Sequence, residues 1–387
     1  MALVVGCSTE PADDPGSEAA QQDSALEAAA TRCGHALCTT GTKLVKTCDP
    51  CVQKICTTDP YCCTTKWNAK CVREVASICG ESCDGTPDMS TGMLDMSVGP
   101  PDLAHGGPDL AHGGHDGGGG GGGSVGPGGG TVDHLLFAVV GDTRPPSIDD
   151  TSGYPTPVIQ KIYADIEGMS PRPQFVVGTG DYQYASTTST SGAAQLKLYA
   201  SAMHAFSGSV FAAMGNHECD GFTADNCAGK ATNNLTAFMN TLVTPLGKSL
   251  PYYTIPINAT GGTWTAKLII LACNQWDATQ KSWLASELAR STTYTFVVRH
   301  EPASDPRGPC VNDVESLLGA HPYNLSIVGH THHFQLSGKE VVVGNGGAPL
   351  SGGTYGYTTV EQTTSGFRVT NYDYASAAPV SSTTVPF

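Results

Sequence analysis

Basic residues are scarce in this 387-residue chain: 20 lysines and arginines stand against 35 aspartates and glutamates, for a formal charge of −15. A surface without a cationic excess cannot displace the counterions of a phosphate backbone, which excludes a nucleic-acid scaffold as partner but not a small phosphorylated molecule. Long apolar runs are also missing, since none approaches the ~20 residues that a helix needs to cross a bilayer. From Ser8 to about Thr31 aromatic residues are almost absent among Ala, Glu, Asp, Ser and Gln. Such a segment buries too little surface to offset its ordering entropy and reads as a tether.

Cysteine, by contrast, is abundant: of 15 in the chain, ten fall between Cys33 and Cys83. That density suits an oxidising compartment, so the chain is expected to be exported. Leu3-Val4-Val5-Gly6-Cys7 has the apolar run, small residue and cysteine of a lipoprotein processing site, and Cys7 is the expected point of lipid anchoring in a bacterial cell envelope. The basic n-region is missing, which points to a translation start upstream of Met1. Residues 33–83 are too few for a generous core, and a unit of that size is stapled by disulfides. Cys48-x-x-Cys51 could form half of a zinc knuckle, but no second CxxC follows at ribbon spacing. The segment resembles small Cys-rich modules of secreted bacterial surface proteins.

A seven-residue repeat follows, P-D-M-S-T-G-M, L-D-M-S-V-G-P and two copies of P-D-L-A-H-G-G, running into polyglycine. Its proline and glycine, and the lack of a two-position apolar seam, exclude a coiled coil. Residues 84–130 are read as a flexible linker with a typical reach of ~35–40 Å, and its His105, His112 and His115 as solvated repeat residues. The chain then divides into a leader and tether (1–32), a disulfide module (33–83), the linker (84–130) and a catalytic domain (131–387).

From Thr131 the texture becomes alternating strand and helix, which implies an α/β (α+β) domain with a sheet covered by helices. Leu135–Val140 ends in Gly141-Asp142. The strand at Phe175 ends in Gly180-Asp181, followed three residues on by Tyr184. Val210–Met214 ends in Gly215-Asn216-His217-Glu218, Thr295–Val298 in Arg299-His300, and Asn324–Val328 in Gly329-His330-Thr331-His332. Val341–Tyr374 reads as further strands completing a second sheet. A single Gly-Asp or Gly-His pair is usually a turn. Five in succession, each after an apolar strand, converge on one rim and can bind two cations through mixed oxygen and nitrogen ligands. Two cations about 3.5–4 Å apart suit an in-line phosphoryl displacement.

The ordered set G-D, G-D-x-x-Y, G-N-H-E, V-x-x-H and G-H-x-H resembles the calcineurin-like metallophosphoesterases and, within them, the purple acid phosphatases. That resemblance implies a two-sheet β sandwich flanked by helices. It also implies a first metal held by Asp142, Asp181, Tyr184 and His332, and a second by Asp181, Asn216, His300 and His330, with Asp181 bridging. The pair would be Fe with Zn, Mn or Fe, and Gly344–Pro349 resembles the loop that follows the last ligands. Arg144 stands where the wider superfamily has a histidine ligand; a guanidinium has no lone pair to give, so it either forks onto a substrate phosphate or forms a rim salt bridge. Ser186 replaces an aspartate common in the acid phosphatases. The expected activity is phosphomonoester hydrolysis by a metal-bound hydroxide, with His217 protonating the leaving oxygen. The alternatives are a phosphodiesterase acting on nucleotides or phospholipid head groups, and a non-catalytic surface binding protein.

Overall fold

The computed structural model describes residues 33–79, 123–219, 226–230 and 232–387. The segment expected to be a lipoprotein leader with Cys7, the expected tether, Cys83 and the seven-residue repeats with His105, His112 and His115 lie outside the described residues. The chain forms two compact units, Met1–Gly118 and Gly119–Phe387.

In the first unit, a helix over Pro50–Thr58 starts where Asp49 accepts a hydrogen bond from the Cys51 amide and Pro50 fits the first turn. It buries Cys51, Val52, Ile55 and Cys56 on one stripe, facing Leu37, Leu44, Trp67 and Val75. Disulfides join Cys33–Cys48, Cys51–Cys79, Cys56–Cys63 and Cys62–Cys71. Both cysteines of the CxxC pair are thus spent on separate bridges, which removes the zinc-knuckle alternative.

The second unit opens with a hairpin, β1 (Gly123–Gly126) and β2 (Gly129–Val132). There follow β3 (Leu136–Val140), α1 (Thr156–Gly168), β4 (Phe175–Gly178), α2 (Ser191–Met203), β5 (Ser209–Ala212) and α3 (Asn233–Phe238). Next come β6 (Tyr253–Ala259), β7 (Thr265–Ile270), α4 (Ala278–Ala289), β8 (Tyr294–Val298), α5 (Val311–Ala320) and β9 (Leu325–Val328). The chain ends with β10 (Phe334–Ser337), β11 (Glu340–Val343), β12 (Gly356–Gln362), β13 (Gly366–Asp373) and β14 (Pro379–Pro386). One sheet has the order β14-β13-β12-β3-β4-β5, the other β10-β11-β9-β8-β7-β6-β2-β1.

The sheets pack face to face through aromatic side chains. Phe137 of β3 stacks on Phe175 of β4 with centroids 5.0 Å apart and meets Phe296 of β8 edge-on at 5.4 Å. Helix α1 buries Ile159, Ile162, Tyr163 and Ile166, an i, i+3, i+4, i+7 stripe that lines the core. Leu284 and Leu288 of α4 and Val314 and Leu318 of α5 pack with Ile269 and Val297 of the other sheet. This is the expected two-sheet sandwich flanked by helices.

Two details differ from the sequence reading. The glycine-rich stretch up to Gly130 already contains β1 and the first half of β2, with β2 running parallel to β6 through Gly130↔Ile257. Glycine carries no side-chain pattern from which a strand could be read. The tail, expected to complete one sheet, divides: β11 joins β9, whereas β12 pairs antiparallel with β3.

Candidate metal centre

Strands β3 and β4 run parallel, as do β4 and β5, and β8 runs parallel to β9, so each pair delivers its C-terminal ends to the same side. The loops there are tightly fitted. Gly180 has φ +107°, and a β-carbon on Gly215 would lie 2.3 Å from Asp181 Oδ1, so side chains are excluded at both. Asp142, Asp181, His330 and His332 have φ of 54°, 57°, 72° and 53°, a left-handed backbone that non-glycine residues seldom adopt. Strain of that kind, about 1–3 kcal/mol per residue, persists only where surrounding structure enforces it.

Much of that enforcement comes from Glu218. Its buried carboxylate accepts hydrogen bonds from the backbone amides of Asp181 (2.9 Å), Tyr182 (2.8 Å), Gln183 (3.2 Å) and Gly215 (2.8 Å), lacing the β4 and β5 loops together. Glu218, the last residue of the G-N-H-E motif, thus anchors both loops. The Gly344–Pro349 loop closes the other side: Gly346 and Ala348 amides donate to the Gly141 and Asp142 carbonyls at 2.8 and 2.7 Å.

The convergent side chains form two clusters, Asp142–Asp181–His332 and Asp181–His300–His330, in each of which the ligand atoms lie within 4.8 Å of one another. Asp181 belongs to both. Asn216 completes the second, with Oδ1 3.2 Å from His300 Nε2 and 3.1 Å from His330 Nδ1. Backbone carbonyls set the imidazoles, since a carbonyl only accepts: His300 Nδ1 donates to Thr179 O (2.7 Å) and His332 Nδ1 to Pro349 O (2.8 Å). Their Nε2 lone pairs therefore point inward, 3.3 Å from Asp181 Oδ1 and 3.4 Å from Asp142 Oδ1. His330 is turned the other way, Nε2 facing Asp305 Oδ2 at 3.1 Å and Nδ1 facing the cluster. Acceptors facing acceptors inside a buried pocket fit a cation.

The buried acids and imidazoles also shift one another strongly. Burial alone would raise the Asp181 carboxyl, but His300, His217 and Arg144 hold it well below the usual range. Asp142 is pushed well up by burial and by the charge on Asp181. Burial works against a charge on His300, yet Asp181 and Asp142 beside it raise the imidazole well above its ordinary value. Burial and His300 lower His330 to about 4, and burial and Arg144 lower His332.

The remaining predicted residues stand around the first cluster. Arg144 has Nε 3.8 Å from Asp181 Oδ2 and Nη2 3.5 Å from His332 Nε2, and its guanidinium lies 4.7 Å above the Tyr184 ring. His217 has Nε2 3.6 Å from Asp181 Oδ2 and its ring 4.4 Å from that of Tyr184. Tyr184 is not carried there by a helical turn, although it lies three residues after Asp181. Residues 181–186 are irregular, and Gln195 holds the Tyr184 backbone from both sides at 2.7 and 3.1 Å. Ser186, in place of the aspartate, bonds to Asp149 through its amide (3.1 Å) and hydroxyl (2.8 Å). Asp305 was not anticipated. It sits in a loop without periodicity, and only its position five residues after His300 could have drawn notice. Disulfides Cys219–Cys227 and Cys273–Cys310 flank the region.

A two-sheet sandwich whose strand ends present two carboxylate–imidazole clusters sharing one aspartate defines a metal-dependent hydrolase class. Residues 135–334, just over half of the 387-residue chain, match the family described as calcineurin-like phosphoesterase, and residues 31–83 match a domain of unknown function. The chain belongs to the calcineurin-like phosphoesterase family and is a metal-dependent phosphoester hydrolase. Comparison with curated proteins finds no match. Among solved structures it is similar to GAP50, the anchor in the inner membrane complex of Plasmodium, at 14% identity and TM-score 0.46, over 66% of this chain and 89% of that one. It is similar to 5'-nucleotidase from Candida albicans at 12% identity and TM-score 0.38, over 62% of this chain and 51% of that one. A third similarity is to a cold-active protein-tyrosine phosphatase of a psychrophilic Shewanella, at 13% identity and TM-score 0.30, over 65% and 80%.

Proposed function

We propose that the chain is an exported, dinuclear phosphomonoesterase of the purple acid phosphatase type. The observation that carries this reading is the position of Asp181 in both clusters with Arg144 alongside. Asp142, Asp181, Tyr184 and His332 would hold the first ion, and Asp181, Asn216, His300 and His330 the second. The ions, Fe with Zn, Mn or Fe, supply Lewis acidity that activates water and neutralises phosphate charge.

The chain's own residues do the rest. Arg144 is stacked on Tyr184 and directed at the shared aspartate, from where its remaining N–H groups fork onto a phosphoryl oxygen. His217 Nε2, on the same side of Asp181, gives its proton to the leaving oxygen, and the Tyr184 ring fixes the imidazole plane. Arg144 thus favours a monoester, whose extra terminal charge needs neutralisation, while His217 assists departure of the leaving oxygen. Tyr184 beside the first cluster supports the purple acid phosphatase assignment. The disulfides of the N-terminal unit support an exported chain, and Cys7 remains the proposed lipid anchor in the cell envelope.

The test is turnover of an aryl phosphate monoester against a bis-aryl diester by the purified full-length chain. Preference for the monoester, lost in Asp181→Ala and in His330→Ala, is the expected result; preference for the diester assigns a phosphodiesterase. Hydrolysis that persists in metal-free Asp181→Ala would contradict the reading altogether.

A further inference from the structure

His330 differs from the other two imidazoles in what holds it. His300 and His332 are oriented by backbone carbonyls, which belong to the fold and need no side chain. His330 is oriented by a side chain, with Nε2 3.1 Å from Asp305 Oδ2 while Nδ1 faces Asn216 Oδ1 at 3.1 Å and His300 Nε2 at 3.2 Å. On the Asp305 side there is a cavity of about 540 Å³ lined by Ser304, Asp305, Pro306, Arg307, His330 and Thr331. The ring borders open space in that direction, where the hydrogen bond to Asp305 orients it.

Asp305 is itself immobilised. Its Oδ1 accepts from the Arg307 amide (3.2 Å) and Arg307 Nε (2.8 Å), and Oδ2 from Arg307 Nη2 (3.0 Å), a two-pronged grip on the carboxylate. The loop turns tightly around it, with the Asp305 amide donating to Pro302 O at 3.0 Å and the Gly308 amide to Asp305 O at 3.1 Å. Two residues further on, Cys310 is tied to Cys273.

We propose that Asp305, held by Arg307, is the positioning residue of His330. It accepts a hydrogen bond from Nε2–H, which fixes the tautomer, leaves the Nδ1 lone pair for the second cation and raises the basicity of that nitrogen. The inference rests on the metal-centre reading above. A carboxylate in this position typically contributes about 10–100-fold to metal affinity.

The experiment is calorimetric titration of Mn(II) into metal-stripped full-length wild type, Asp305→Ala, Asp305→Asn and Arg307→Ala, with ¹⁵N spectra of the histidine rings in the same metal-free samples. Expected for Asp305→Ala is one equivalent bound as in wild type and one weakened about 10–100-fold, with loss of the Nε2–H tautomer of His330 and an unchanged circular dichroism spectrum. Asp305→Asn, whose amide oxygen still accepts, should recover most of the affinity, and Arg307→Ala should fall between. Wild-type affinity for both equivalents in Asp305→Ala, or an unchanged His330 tautomer, overturns the inference, as does an Asp305→Asn chain as weak as Asp305→Ala. A wild type that binds two equivalents but hydrolyses no phosphoester would sink the proposed activity and leave this result standing. A wild type that binds no second equivalent sinks both.

Discussion

Replacing Glu218 with Gln changes one oxygen for an NH₂ group at the point where two loops of the centre are tied. Oε2 accepts from the Asp181 and Gly215 amides and Oε1 from those of Tyr182 and Gln183. Whichever way the new amide is turned, its nitrogen faces two backbone donors. Hydrogen bonds to a charged group contribute about 1.5–3 kcal/mol each, and a buried donor left unmet costs about 1–3 kcal/mol. With two of four bonds lost and some relaxation, Glu218→Gln should destabilise the catalytic unit by about 2–5 kcal/mol. The left-handed backbone at Asp181, held in part by its bond to Glu218, should relax with it and weaken metal binding. The assay is urea unfolding of full-length wild type and variant, metal-free and with saturating Mn(II). The reasoning predicts a lower midpoint in both conditions and a smaller metal-induced stabilisation in the variant, because binding adds less when affinity is lower. A loss below about 0.5 kcal/mol, with metal stabilisation unchanged, would refute the role assigned to Glu218.

Two other predictions concern parts of the chain away from the centre. In the N-terminal unit, burial pushes the Glu74 carboxyl from its ordinary 4.5 up to about 7, with Lys70 opposing and Asp59 adding to the rise. A carboxyl raised on folding binds its proton more tightly in the native state, so its contribution is complete below pH about 4.5 and is lost as pH rises through about 7. That loss is at most about 3 kcal/mol, measurable as reduced hydrogen-exchange protection of the Ala69–Cys79 helix at pH 8 relative to pH 5. Glu74→Gln should flatten the difference, and equal protection at both pH values would contradict it. In the catalytic unit, the Cys273–Cys310 bridge closes a separation of 37 residues. The chain-entropy relation makes that worth about 4 kcal/mol, so a Cys273→Ser, Cys310→Ser double variant should show a correspondingly lower unfolding midpoint. An unchanged midpoint would show the bridge to be without effect.

Much of the centre was legible in the sequence because buried parallel strands leave two strong traces, an uninterrupted apolar run and a glycine before the polar residue at its tip. Asp142, Asp181, Asn216 and His330 carry both traces, while His300 follows its apolar run through Arg299 and His332 lies two residues beyond His330; the structure brings all six together. What the sequence hid falls into three physical kinds. Strands built from glycine, such as Gly129–Val132, have no alternation to read. Tertiary partners in irregular loops, such as Asp305 with His330 and Pro349 O with His332, are joined by folding and not by spacing. Strand β6 alternates buried and exposed residues but contains Pro256, which turns against a strand reading although it occupies an exposed position. For Tyr184 the three-residue offset from Asp181 identified the neighbourhood but not the conformation. The chain there is held by Gln195 and Glu218 and not by a helical turn.

The claim on which everything turns is that Asp181 serves two cations at once. Elemental analysis of the full-length chain, purified without added metal and then loaded to saturation, addresses it directly. The account predicts two equivalents in wild type and the loss of both in Asp181→Ala, with the N-terminal unit and its disulfides intact. Two tightly bound equivalents surviving in Asp181→Ala, or a wild type that never exceeds one, would contradict it.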